Sequence, residues 1–385
     1  MLDLMKLLNR VPEELAKRRG RKEELARQFE LHKTEIVIYG HGYLGTELGK
    51  GLECVNYPVR YFLDANKATD LSKGNINLKE ANQYLSPDAM IVVALYNIYL
   101  EYPSIRAQLE AMGFKNILSI VDLRVWPDLF QGGHIHDTLS WDITHIPGEL
   151  VNKAYLLMED ELSQKTYEEL FSFFLSDCDV KFTLCQSEKQ YMPDETYLPI
   201  ENECIIDCGA YNGDTMRAFY SRLGAWCSYT GIEPDFHNWE ELNASIQTGL
   251  PKELAERTKA ICAAISNKTG SAAFCANGNT TSHISEESVH NTPVIKLDDA
   301  IQEPVTFIKM DIEGFELRAL QGAEGLIRKN QPLLAICGYH RQADLWEIPL
   351  YMKELLPNHK IYLRNYVGII EYVFYAVPED RVLPE

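Results

Sequence analysis

The sequence predicts an α/β protein made of two Rossmann-like domains joined by a partly helical connector, on three observations. A short hydrophobic strand, a glycine turn and a helix follow one another twice, beginning at Glu35 and at Cys204. Each turn is followed by a second strand that ends in an acid, Asp64 in the first case and Glu233 in the second. The chain has 385 residues, more than one ordinary core accommodates. The expected division is a helical segment over 1–33, a Rossmann-like domain of nucleotide-binding type over 34–125, a connector over 126–200 and a second α/β domain over 201–385.

Composition narrows the function classes. The chain is 46% hydrophobic and 24% charged, as a globular protein is. Its 37 basic and 56 acidic side chains leave a net charge of -19, which argues against a nucleic-acid partner because phosphate backbones call for a basic footprint. An acidic chain suits an enzyme acting on neutral or cationic small molecules. The N-terminal stretch, with Lys17, Arg18, Arg19, Arg21 and Lys22, reads as an amphipathic helix without the apolar core of a targeting signal. The apolar run Ala89 to Leu100 is too short to span a bilayer and contains Asn97, so it reads as a buried strand entering a turn. Nine cysteines lie scattered with no C-x-x-C, several in apolar runs, which points to a reducing cytoplasm. The expectation is therefore a cytoplasmic protein with no transmembrane segment, with a homo-oligomer left open.

In the first domain, the strand Glu35 to Tyr39 runs into Gly40-His41-Gly42-Tyr43-Leu44-Gly45 and a helix over Thr46 to Glu53. The strand Val59 to Leu63 then ends in Asp64, and further pieces follow at Ala89 to Leu95, Ser104 to Met112 and Asn116 to Ile120. This is the dinucleotide-binding arrangement: Gly40, Gly42 and Gly45 let the backbone approach a pyrophosphate, and Asp64 would take ribose hydroxyls. The same turn also packs a helix tightly onto a strand, so a bound nucleotide or nucleotide-sugar and a purely structural role both stay open. The segment resembles the small Rossmann-like domains that precede catalytic domains in bacterial sugar-modifying enzymes.

In the connector, Trp126, Pro127, Gly132, Gly133, Pro147 and Gly148 punctuate the chain before a helical pattern over Glu149 to Leu175. His134 and His136 would share one face of a strand, as metal ligands do. No third ligand stands at useful spacing, and a solvated or substrate-facing loop accounts for the pair as well.

In the second domain, Cys204-Ile205-Ile206-Asp207 ends in an acid, and Gly209-Ala210-Tyr211-Asn212-Gly213 turns the chain into a helix opening at Asp214 and Thr215. Tyr229 to Ile232 is the second strand, ending at Glu233, where ribose hydroxyls would be accepted. A third strand over Thr258 to Ile265 places Ala263 as a backbone neighbour of an adenine. The strand Val305 to Met310 leads into Asp311-Ile312-Glu313-Gly314-Phe315-Glu316, so Lys309, Asp311 and Glu313 meet at the carboxyl end of a strand, where ligands bind in open α/β sheets.

D-C-G-A-Y-N-G-D-T at Asp207, G-I-E-P-D at Gly231, K-L-D-D at Lys296 and K-M-D-I-E-G-F-E at Lys309 resemble, in this order and spacing, the FkbM family of S-adenosylmethionine-dependent methyltransferases. The similarity runs from about Tyr191 to Val377 and takes in Pro332 to His340, Asp344 to Glu347 and Tyr362 to Arg364. Asn212 and Gly338 depart from residues common in relatives. The resemblance implies a class I methyltransferase sheet and O-methylation of a hydroxyl on a sugar, glycan or natural product, often in polysaccharide biosynthesis. It implies a cofactor cradle of Asp207, Gly209, Ala210, Tyr211, Gly213, Asp214, Thr215, Glu233, Ala263 and Asp311, with Asp207 handling the methionine amino group.

Methyl transfer from a sulfonium needs alignment and removal of a proton. His340, with a free pKa near 6.5, is the expected general base. Asp311 or Glu313 would hold the imidazole or take the proton, and Lys309 would stabilise a developing alkoxide. A divalent metal on Asp311, Glu313 and His340 is a less favoured variant. Two rival readings remain: a nucleotide-sugar oxidoreductase using NAD(P) at Gly40, Gly42, Gly45 and Asp64, and an inactive scaffold.

Overall fold

The structure is a computed structural model, and it describes residues 4–95, 98–130, 143–175, 180–275, 283–284 and 290–383. His134 and His136 lie outside the described residues.

The first sheet is built from β1 (Ile36–Tyr39), β2 (Val59–Asp64), β3 (Asn75–Asn77), β4 (Met90–Val93) and β5 (Asn116–Ser119), all parallel, in the order β3-β2-β1-β4-β5. β1 and β4 are unbroken β-branched or aromatic runs apart from Met90, and both are buried throughout, as central parallel strands covered on two faces must be. The strand order reverses between β1 and β4. The glycine turn leaves the sheet at that point and enters the helix Tyr43–Cys54.

The second sheet has seven strands: β6 (Cys204–Cys208), β7 (Ser228–Ile232), β8 (Thr258–Ile261), β13 (Phe307–Met310), β14 (Leu333–Cys337), β15 (Lys360–Asn365) and β16 (Tyr372–Val377). A small separate sheet, ordered β11-β10-β12-β9, is formed by β9 (Ala264–Ile265), β10 (Gly270–Cys275), β11 (His283–Ile284) and β12 (His290–Ile295). The large sheet runs β15-β16-β14-β13-β6-β7-β8, parallel except for β16, which is antiparallel to both of its neighbours. β13 and β6 lie side by side at the centre, with Lys309 paired to Asp207 in register. Their carboxyl ends therefore open onto one crevice.

Two expected elements divide. The strand expected over Thr258 to Ile265 stops at Ile261, and Ala264 resumes in the small sheet, so the buried Ala263 sits in the step between them. The helix expected over Glu149 to Leu175 is two helices, Gly148–Tyr155 and Glu161–Leu175, because Met158 between them forms a bridge with Ile361 of β15. The second of these helices is tied to β15 as well: Ser163 Oγ accepts the Leu363 amide at 3.0 Å, and Arg364 pairs with Asp160 at 2.6 Å. The connector thus packs on the last strands of the large sheet. No described helix is long and apolar enough to cross a membrane.

Candidate active site

The second glycine turn is shaped by sterics. Gly209 has φ +78°, and a Cβ there would lie 1.9 Å from the Asp311 carbonyl oxygen, so only glycine lets β6 turn directly against the end of β13. Tyr211 (φ 44°) and Gly213 (φ 85°) continue in left-handed backbone and aim the chain into the helix Asp214–Leu223. Asp214 and Thr215 open that helix, where unpaired backbone N–H groups gather.

Asp207 and Lys309 brace this turn from inside. Asp207 is fully buried, 3.0 Å from Lys309 Nζ, and its other oxygen accepts the Tyr229 hydroxyl. Lys309 Nζ also donates to the Gly209 carbonyl at 2.7 Å and lies 5.2 Å from the centre of the Tyr191 ring. Burial works against its charge, but the carboxylates of Asp207 and Asp311 outweigh burial and hold it protonated. Asp207 is sealed beneath the turn, and Lys309 directs its donors to Asp207 and to the Gly209 carbonyl, so both side chains support the turn in this structure.

Glu233 lies at the end of β7 beside the turn. Its Oε2 accepts the Tyr211 amide at 3.0 Å and its Oε1 the Asp235 amide at 2.9 Å. Burial pushes its pKa up to about 7 despite these donors. With each oxygen holding one backbone N–H, lone pairs remain for two further donors. A carboxylate so placed fits the ribose hydroxyls of a nucleoside cofactor, and the turn fits its close approach.

Past β13, four acidic residues and one histidine converge. Asp311 Oδ2 accepts the Tyr191 hydroxyl at 2.9 Å, and Oδ1 accepts the Tyr339 hydroxyl at 3.1 Å. Burial raises the Asp311 pKa, but Lys309, His340 and the two hydroxyls outweigh it and keep the carboxyl below its ordinary range. Glu371 accepts from Tyr339 at 3.4 Å. His340 Nδ1 is 2.8 Å from Glu316 Oε1, while Nε2 is 3.4 Å from Asp311 Oδ1 and 3.7 Å from Glu313 Oε2. Burial lowers the imidazole pKa, yet Glu316, Glu313 and Asp311 together drive it well above its ordinary value. A free pKa near 6.5 therefore does not describe His340, whose charged form is favoured by the carboxylates around it. Glu313 is pushed up to about 8, chiefly by burial.

Tyr191, Tyr339, Glu316 and Glu371 are the members that sequence reasoning did not single out. Glu316 was within reach, as the last residue of the motif K-M-D-I-E-G-F-E. Tyr191 was not, since it arrives from the connector in a left-handed conformation (φ 68°), with its amide on Tyr375 Oη at 3.0 Å and its carbonyl accepting Tyr197 at 2.6 Å. The departure at Gly338 has a steric reason: a Cβ there would lie 2.6 Å from the Phe374 ring.

The first sheet's turn is built differently around its three glycines. Gly40 has φ +102° and would place a Cβ 2.5 Å from the Ala94 carbonyl, and a Cβ on Gly45 would lie 1.9 Å from the Gly40 carbonyl. Gly42 has ordinary backbone (φ −101°) and open space where a Cβ would go. Asp64 accepts the His41 amide at 3.3 Å and the Asn66 amide at 2.8 Å. The His41 ring stacks on Phe62 with centroids 4.0 Å apart.

Comparison with known proteins agrees with this architecture. Residues 207–364 match the family model described as "Methyltransferase FkbM domain". The crystal structure of methyltransferase FkbM from Methylobacillus flagellatus KT superposes with a TM-score of 0.73 at 20% identity, covering 97% of this chain and all of that one. An rRNA methylase from Streptococcus thermophilus (13% identity, 46% of this chain and 89% of that chain, TM-score 0.31) is similar only in part. So is Aeropyrum pernix fibrillarin with natively bound S-adenosyl-L-methionine (11%, 47% and 69%, TM-score 0.30). No curated protein matches the chain. Residues 207–364, whose glycine turn, Glu233 and Asp311 strand end form the crevice described above, are thus the part of the chain that is similar to the FkbM methyltransferase domain.

Proposed function

We propose that the protein is an S-adenosylmethionine-dependent O-methyltransferase whose acceptor is a hydroxyl on a sugar, a glycan or a natural product. The observation that carries this reading is the placement of Glu233 beside the Gly209–Gly213 turn, opposite the Asp311 strand end, within the segment that matches the methyltransferase family. Gly209, Ala210, Tyr211, Gly213, Asp214 and Thr215 would line the cofactor, and Glu233 would accept its ribose hydroxyls. Asp207 and Lys309 support that turn from beneath. When bound, S-adenosylmethionine supplies a methyl group on a sulfonium that leaves without acid assistance.

What the protein itself must do is orient the acceptor oxygen and receive its proton. Asp311 is suited to receive it, because it is ionised, its side chain stays 23% exposed, and two tyrosine hydroxyls fix its plane. Glu313 and His340 flank it and offer polar groups to an acceptor's other oxygens, which suits a polyhydroxylated ligand. Titration of the full-length protein with S-adenosylhomocysteine, followed by radiolabelled methyl transfer to a panel of sugars and glycans, tests the reading. Micromolar affinity with label in a methyl ether at the former hydroxyl is expected, and absence of affinity for both the cofactor and its demethylated product would sink it.

A further inference from the structure

We infer that Asp311, Glu313 and His340 form a site for one divalent transition-metal ion, with Glu316 as the carboxylate that positions the imidazole. The inference rests on the proposed function only for what the ion would do, which is to act as a Lewis acid on the acceptor hydroxyl.

The two ring nitrogens of His340 have different neighbours. Nδ1 faces Glu316 Oε1 at 2.8 Å, and that oxygen is pinned by the Ile312 amide, also at 2.8 Å. Glu316 is fully buried, and its other oxygen has no hydrogen-bond partner. Oxygens of Asp311 and Glu316 and a nitrogen of His340 lie within 4.8 Å of one another. A buried carboxylate beside Nδ1 favours a proton on that nitrogen electrostatically and leaves the Nε2 lone pair toward Asp311 and Glu313, as carboxylates behind metal-bound histidines do. Glu316 is thereby spent on Nδ1 and positions the ring from behind.

Nε2 faces Asp311 Oδ1 at 3.4 Å and Glu313 Oε2 at 3.7 Å. Both separations are long for hydrogen bonds; ligand bonds of about 2.0–2.2 Å put neighbouring donors roughly 3–3.6 Å apart, a range that holds the Asp311 separation and that the Glu313 separation narrowly exceeds. The backbone is bent to bring them there. Glu313 has φ 56° and Gly314 φ 89°, and a Cβ on Gly314 would stand 3.4 Å from Arg341 Cγ and 3.6 Å from His340 Cβ, so the turn packs against the backbone end of His340 and Arg341. Asp311 is held by Tyr191 and Tyr339, and both carboxylates keep an open side toward the crevice. Lys309 lies behind Asp311 but is neutralised by Asp207. Three carboxylates around one imidazole leave the cluster short of positive charge. A second proton on Nε2 and a cation compete for the same lone pair. One imidazole nitrogen with two carboxylates suits Mn²⁺ or Zn²⁺ better than the oxygen-seeking Ca²⁺.

The test is calorimetric titration of chelator-treated, full-length protein with Mn²⁺, and separately with Zn²⁺. One ion per chain is expected, with affinity reduced at least 100-fold in Glu313→Gln and His340→Gln, and about 10- to 100-fold in Glu316→Gln. Asp88→Asn, exposed beside the first sheet, should bind as the parent does. Circular dichroism checks the fold of each variant, and Glu313→Gln, on a partly exposed turn, decides the outcome if the histidine variant unfolds. Absence of micromolar binding by the parent chain, or parent-like binding by Glu313→Gln, overturns the inference. S-adenosylhomocysteine titrated into the same samples separates the two readings: product bound without metal overturns only this inference, and metal bound without product overturns only the proposed methyl transfer.

Discussion

Lys309 Nζ lies 3.0 Å from Asp207 Oδ1 in a region where both side chains are buried, and the two residues are partners in register on adjacent strands. Removing one member would leave an uncompensated charge beneath the glycine turn. Lys309→Met is expected to destabilise the protein by about 3–5 kcal/mol in denaturant unfolding. The double variant Lys309→Met/Asp207→Asn should recover more than half of that loss. Equal destabilisation of single and double variants would show that the pair does not act as a unit.

The proposed role of Glu233 at the ribose hydroxyls predicts that cofactor affinity depends on pH. A carboxyl with its pKa at about 7 is neutral on the acid side, where it no longer accepts two hydroxyl donors. Affinity for S-adenosylhomocysteine should therefore weaken about tenfold from pH 8 to pH 6, measured by calorimetry. The stability effect has the opposite sign. Because the folded pKa lies above the unfolded one, the charged group costs stability above pH 7, a cost relieved as pH falls toward 4.5. Glu233→Gln should raise the melting temperature of the free protein by about 2 °C at pH 8 while losing the cofactor.

Tyr191→Phe and Tyr339→Phe each remove a donor from Asp311. Losing a hydrogen bond to the ionised form raises its pKa. The acid limb of kcat/KM should move up by about one pH unit in either variant, with KM for the cofactor little changed. An unmoved limb would take Asp311 out of the proton-accepting role.

The two turn glycines of the first sheet should respond differently. Gly45→Ala forces a methyl against the Gly40 carbonyl and should lower the melting temperature by several degrees, whereas Gly42→Ala meets open space and should leave it within about 1 °C. Titration of the Gly42→Ala protein with NADH and with nucleotide-sugars then tells whether the turn serves a ligand. Affinity present in the parent and lost in this variant would assign it one.

What was legible in the sequence follows from local chemistry. Alternation of hydrophobic runs with glycine turns announced the parallel cores of both large sheets, and terminal acids marked Asp64, Glu233 and Asp311 at strand ends. Whether an acid faces the crevice or the interior was not legible, because that depends on partners a hundred residues away: Asp207 and Lys309 read as site residues, and the structure pairs them beneath the turn. The same holds for His340, whose protonation is set by Glu316, Glu313 and Asp311 together and not by its own ring. Met158 divided a helix that looked continuous because its bridge partner, Ile361, lies far along the chain.

The hydroxyl of Tyr191 reaches Asp311 from outside the segment that carries the family's motifs, and Glu371 closes on Tyr339 from beyond its other end. An expression fragment trimmed to residues 207–364 would keep the motifs that define the family and lose two of the walls around Asp311. The segment that matches the family model and the unit that encloses Asp311 thus have different edges, and a fragment meant to keep both walls must begin before residue 190 and end after residue 371.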